Sequence, residues 1–124
     1  MARILVADDD LDQVLMRKDL LEAGGHVVDV ALCANTTAQL IEGGHADLVI
    51  MDLRFANAAG EPDSQLGLAL IRRIRALGCR APVIVLSGWP EDLYGQPEES
   101  LVSKVIVKPV PVHVLLDAVA ELTG

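Results

Sequence analysis

The sequence predicts an α/β fold in which five strands form one parallel sheet with helices on both faces. Five short apolar runs carry that prediction: Ile4–Ala7, Val27–Val30, Leu48–Met51, Val83–Leu86 and Val105–Val107. Most are rich in Val and Ile with few polar residues, as strands covered on both faces are. The segments between them show helical spacing, and strand alternating with helix implies right-handed crossovers.

Taken in order, Val14, Leu15 and Lys18-Asp19-Leu20-Leu21 predict a helix after the first run, ended by Gly24-Gly25. Asn35 or Thr36 is placed to cap a short helix running through Leu40 and Ile41. Leu66, Leu70, Ile71, Ile74 and Leu77 share one face of a third helix that stops at Gly78. Trp89–Ser100 contains Pro90, Gly95 and Pro97, so a helix there should be short or broken. Val112, Leu115, Leu116, Val119 and Leu122 follow i, i+3, i+4, i+7 in a last helix, with Pro111 near its first position.

The 124 residues are expected to form one domain, 1–124, and a 52% hydrophobic content suffices for a core. No run approaches the roughly 18 apolar residues of a membrane span. The opening apolar stretch is short and ends in acids, unlike a signal peptide, so a cytoplasmic location is expected. Cys33 and Cys79 have no CxxC spacing and are read as small buried hydrophobes. A net charge of -8 argues against direct nucleic-acid binding, which needs a basic footprint. Arg72, Arg73 and Arg75 read as the wet face of one helix. His26, His45 and His113 share no metal spacing and read as surface or strand-flanking residues.

Polar residues concentrate at the strand ends. Asp8 and Asp9 follow the first run, Asp52 the third, Ser87 the fourth and Lys108 the fifth. In an open parallel sheet, ligands bind outside the carboxyl ends of the strands. Three carboxylates brought close raise one another's pKa unless a cation neutralises them. Mg²⁺, a hard oxygen-seeking ion, suits such a site and accompanies phosphoryl transfer. A carboxylate can itself be the nucleophile. Asp52, with Ser87 as hydroxyl donor and Lys108 as cation, completes a phosphoryl-transfer set. Asp8 and Asp9 have a plainer use as helix caps, and Asp10 and Asp12 read as surface or capping residues.

Val6-Ala7-Asp8-Asp9-Asp10, Met51-Asp52-Leu53-Arg54, Val85-Leu86-Ser87-Gly88 and Val107-Lys108-Pro109 together resemble the response-regulator receiver domain, in order and over nearly the whole chain. The resemblance implies a flavodoxin-like sheet of strand order 2-1-3-4-5. It implies Asp52 as phospho-acceptor and Asp9 as a direct Mg²⁺ ligand. Asp8 would act through metal-bound water, and the Arg54 backbone carbonyl would be a further ligand. Ser87 and Lys108 would close on the phosphoryl group, and Lys108-Pro109 would be cis. The implied donor is a histidine kinase or histidine phosphotransfer protein, and the implied output is altered binding of a downstream protein, with a homodimer as a further option. With nothing after Gly124, no output domain is expected on this chain.

Three departures stand out. Val105 occupies the position where the family usually carries a switch aromatic. The loop from Asp52 to Gly67 is long and polar, with Ala56 where the family often has proline. The helix after Ser87 is interrupted. The aromatics Phe55, Trp89 and Tyr94 all follow Asp52 or Ser87 closely, which suggests either two loops packing together or an aromatic cover on the site. Arg54 and Trp89 fall at positions that, by resemblance, tune hydrolysis of the phosphoryl group. Two rivals remain at this point: a Mg²⁺-dependent aspartyl-phosphate phosphohydrolase, and a degenerate receiver that binds partners without phosphorylation. Arg54, where such hydrolases place a second acid, counts against the first.

Overall fold

The computed structural model describes residues 1–44 and 46–124; His45 lies outside the described residues. Strands β1 (Arg3–Ala7), β2 (Val27–Ala31), β3 (Leu48–Met51), β6 (Val83–Ser87) and β7 (Lys104–Val107) pair in parallel in the order β2-β1-β3-β6-β7. With β6 and β7 counted as the fourth and fifth strands of the sheet, this is the expected 2-1-3-4-5 order. Helices α1 (Leu11–Ala23) and α4 (Val112–Thr123) cover one face, and α2 (Ala34–Gly43) and α3 (Ser64–Ala76) the other.

Each central strand feeds both faces. Leu5, Val49, Met51, Val83 and Val85 join a core with Ile41 of α2 and Ile71 and Ile74 of α3. Ile4, Val6, Leu48, Ile50, Ile84 and Leu86 join another with Val14 and Leu21 of α1 and Leu115 and Val119 of α4. Successive side chains alternate faces, so a strand buried twice has no polar position to show. That is why these runs read as continuous apolar stretches.

Four local expectations are corrected. The cap of α2 is Cys33, not Asn35 or Thr36. Its sulfur accepts the Thr36 N–H, and the Thr37 hydroxyl donates to the Cys33 carbonyl. Cys33 is therefore exposed rather than buried, because a capping side chain must lie outside the helix end it serves. Of the arginines of α3, Arg72 and Arg73 are exposed as expected, but Arg75 is half-buried and none is merely solvated. Arg75 donates to the carbonyls of Cys79, Ala81 and Leu101, and Arg72 pairs with the buried Glu98. The long loop is organised too: β4 (Phe55–Ala56) and β5 (Pro62–Asp63) form a small antiparallel hairpin. Phe55 is fully buried in the core under α3, which removes it from any aromatic cover.

The interrupted segment becomes two 3₁₀ turns, Pro90–Asp92 and Pro97–Leu101, each opened by its proline. Gly95 between them has φ of 80°, a conformation that favours glycine. Leu93 is buried beneath the turns and anchors them to the core. No helix among the described residues is long and apolar enough to cross a membrane.

Candidate functional site

The strand ends deliver the site. Asp52 N–H donates to the Ala7 carbonyl, and Lys108 N–H to that of Ser87, so the ladder itself carries these residues to one edge. Asp8 follows β1, with its N–H on the Ala31 carbonyl. Carboxylate oxygens of Asp8, Asp9 and Asp52 all lie within 4.8 Å of one another.

Hydrogen bonds fix each acid. The Lys108 ammonium sits 3.0 Å from Asp52 Oδ2 and 3.2 Å from Asp8 Oδ2. Asp52 Oδ1 accepts the Leu53 N–H at 2.7 Å. Asp9 accepts the Ala56 N–H at 3.1 Å, which ties the hairpin to the acids. Asp8 Oδ1 accepts the Asp10 N–H, while Asp10 caps α1 through the Gln13 N–H. The Lys108–Pro109 peptide bond is cis.

Burial alone would push the Asp8 carboxyl up, but the Asp10 N–H, Lys108 and Arg17 outweigh it and hold it below the ordinary range. Asp9 goes the other way: burial, then the Asp8 and Asp52 charges, push it up against the Ala56 N–H. For Lys108, burial pushes downward, and bonds and charges from Asp52 and Asp8 more than reverse it. The three acids thus outnumber the cations on them, Lys108 and Arg17, and a divalent cation relieves the excess negative charge. Hard carboxylate oxygens at this spacing suit an oxygen-seeking ion such as Mg²⁺.

Asp8, Asp9, Asp52 and Lys108 come together as the sequence predicts. Ser87 is fully buried at the end of β6, and its Oγ accepts the Trp89 N–H at 3.0 Å rather than touching the acids. The Arg54 guanidinium turns outward. It grips Asp92 at 2.7 and 3.3 Å and lies 3.9 Å from the Trp89 ring centroid. Trp89 therefore covers Arg54, and Tyr94 is half exposed.

A model for the response regulator receiver domain matches residues 4–120. The chain belongs to the response regulator receiver domain family. It is 34% identical over 126 aligned positions to the sensory/regulatory protein RpfC of Xanthomonas campestris pv. campestris, covering 97% of this chain and 16% of RpfC. It is 35% identical over 99 positions to the virulence transcriptional regulatory protein PhoP of Salmonella typhimurium, covering 75% of this chain and 40% of PhoP. The receiver thus spans under half the length of either relative. The crystal structure of response regulator TrrA from Thermotoga maritima, in complex with Mg²⁺-BeF, superposes with a TM-score of 0.82 at 24% identity, covering 98% of this chain and 99% of that one.

Two residues of this receiver site went unread in the sequence. Arg17 is buried and donates to Asp8 Oδ2 at 3.0 Å. Its signal was available, because it lies three residues after Val14 and four before Leu21 on the buried stripe of α1. Asp92 gives no such signal. Its meeting with Arg54 depends on a proline-opened 3₁₀ turn.

Proposed function

We propose that this receiver accepts a phosphoryl group on Asp52 and that the modification changes which proteins it binds. The observation that carries the reading is Lys108 placed on Asp52 within a cluster of three carboxylates at the carboxyl edge of the sheet. An Asp52 carboxylate oxygen attacks phosphorus in a phosphohistidine of a kinase or phosphotransfer protein. The P–N bond breaks as the P–O bond forms, and the donor imidazole leaves with the electron pair. Asp9, Asp52 and the Arg54 backbone carbonyl would hold Mg²⁺, with Asp8 behind them. Mg²⁺ bound there offsets charge on the transferring oxygens.

Lys108 is already hydrogen-bonded to Asp52, so its ammonium is positioned for a phosphoryl oxygen without crossing the site. Ser87 Oγ is engaged by the Trp89 N–H as acceptor, which leaves its hydroxyl proton free to donate. Those two new contacts exist only in the modified state, and such differential contacts are what shift a conformational equilibrium. The chain then acts as a signalling component, in the cytoplasm with its donor, and not as an enzyme on external substrates. The phosphohydrolase alternative is disfavoured by Arg54, whose side chain is committed to Asp92.

Incubation with acetyl phosphate and Mg²⁺, followed by intact mass measurement, tests the proposal. One phosphoryl adduct is expected on the wild-type chain and none on Asp52→Asn. An adduct that survives in Asp52→Asn, or sustained turnover of a small phosphoester, overturns it.

A further inference from the structure

We propose that Arg17 is a built-in counter-ion of the acidic site, competing with the divalent ion for Asp8 and so setting how much metal the receiver needs. The inference rests on reading Asp8, Asp9 and Asp52 as the metal site. Its starting point is a position that α1 ought to fill with an apolar residue. Val14, Arg17 and Leu21 are the buried residues of that helix. Arg17 is 4% exposed and its partner Asp8 is 1% exposed. Burying such a pair costs desolvation on both sides, so a plain hydrophobe would serve packing at least as well. The guanidinium is braced on its other side by Gln13, one turn earlier, whose Oε1 accepts from Arg17 at 3.1 Å.

The consequence for Asp8 is saturation. Its Oδ2 takes Arg17 at 3.0 Å and Lys108 at 3.2 Å, and its Oδ1 takes the Asp10 N–H at 3.0 Å. A carboxylate offers about four acceptor sites, so about one remains for anything a metal brings. Arg17 also supplies charge. An arginine keeps its proton in proteins, and a buried charge is screened far less than a surface one. Three acids against Lys108 alone attract a dication strongly; three acids against Lys108 and Arg17 attract it less. Lys108 must share its ammonium with a phosphoryl oxygen in the proposed switch, whereas Arg17 has no other acid to move to among its described partners. It therefore keeps Asp8 paired throughout.

Calorimetric titration with Mg²⁺ alone separates this from a merely structural ion pair. Arg17→Gln, which keeps a donor but not the charge, and Arg17→Met are expected to bind Mg²⁺ about tenfold more tightly than wild type, and Arg17→Lys within about twofold of it. In EDTA the two neutral variants are expected to melt below wild type. Mg²⁺ should then raise their melting temperatures more than it raises the wild type's, since tighter binding to the folded state stabilises it further. Neutral variants whose Mg²⁺ affinity is unchanged or weaker overturn the proposal, because a residue that only positions Asp8 gives that result. If Arg17→Met does not fold without metal, Arg17→Gln and Arg17→Lys decide alone. Should the wild-type chain neither bind Mg²⁺ nor take a phosphoryl group on Asp52, the receiver-site reading itself fails. Labelling that is normal in wild type, with Arg17→Gln affinity unchanged, removes only the role given to Arg17.

Discussion

Gly67→Ala should unfold this receiver earlier and blunt its site at the same time. Gly67 sits in the first half of α3, and its N–H donates to the Leu53 carbonyl. A Cβ built there falls 2.3 Å from the Leu53 oxygen, 2.4 Å from its Cα and 2.7 Å from its carbonyl carbon. Ordinary van der Waals separations are about 3.5 Å, so helix and loop must part by roughly 1 Å. The obstacle is backbone, which cannot swing aside as a side chain can, so the cost belongs near the upper end of overpacking, about 3 kcal/mol. Alanine returns about 1 kcal/mol as the better helix former. The net is about 2 kcal/mol of destabilisation. With about 2.1 cal/mol/K of unfolding entropy per residue over 124 residues, that lowers the melting temperature by about 8 °C. Leu53 separates Asp52 from Arg54, so the same displacement should slow acetyl phosphate labelling of Asp52. Gly43→Ala is the control, since a Cβ there meets nothing within 4 Å. A Gly67→Ala protein that melts at or above the wild-type temperature and labels normally would refute the close-approach argument.

Two other expectations follow from the same contacts. Trp89 lies over Arg54, whose backbone N–H is 3.3 Å from Asp52 Oδ1, so adding Mg²⁺ with beryllofluoride should change tryptophan emission. Arg54→Ala should shift the resting spectrum and shrink that response, and a wild-type spectrum indifferent to both additions refutes the coupling. Asp8 and Lys108 set opposite ends of a pH profile. The Asp8 carboxyl is held below the ordinary range, so its contribution is full above that range and lost as pH falls through its folded value, below the ordinary carboxylate range. Lys108 is held above the ordinary lysine range, so its contribution is full below that range and lost as pH rises beyond it. Denaturant midpoints across pH should therefore fall less steeply in acid for Asp8→Asn and less steeply in alkali for Lys108→Met; variants that track the wild-type slopes at both ends dismiss the assignment.

Legibility in the sequence followed physical range. Strands β1, β3 and β6 announced themselves because burial on both faces leaves no polar residue in Ile4–Ala7, Leu48–Met51 or Val83–Leu86. The meeting of Asp8, Asp9, Asp52 and Lys108 was legible because parallel strands put all their carboxyl ends at one edge. What escaped depends on contacts that no periodicity encodes. Phe55 looked like a loop aromatic, yet a two-residue hairpin folds it into the core. Cys33 replaced the better-known capping residues because α2 already begins at Ala34, which packs in line with Ala38 and Ile41. Arg17 interrupted a stripe that seemed merely amphipathic, and the acid it answers lies on another element.

The contacts of Arg54 and Ser87 bear on how a change at Asp52 would reach the surface. Val105 is half-buried in β7, with no ring to swing. The segment after Ser87 is instead joined to the site by other groups. Its first end hangs on Arg54 through Asp92 and on Ser87 through the Trp89 N–H. Its middle is held to α3 by Arg72 and Glu98, and its far end by Arg75 on the Leu101 carbonyl. Both attachments at the first end involve residues beside the acceptor, whereas the other two belong to α3. In the proposed switch, a Ser87 hydroxyl drawn toward a phosphoryl group would pull on the Trp89 N–H, and a displaced Arg54 would pull on Asp92. Pro90–Asp92 is thus tied to residues near the acceptor and Pro97–Leu101 to α3, with Leu93 holding the junction in the core and Gly95, at φ 80°, turning the chain between them. In that proposed switch the exposed faces of Trp89 and Tyr94, at 49% and 51%, are the surface expected to respond.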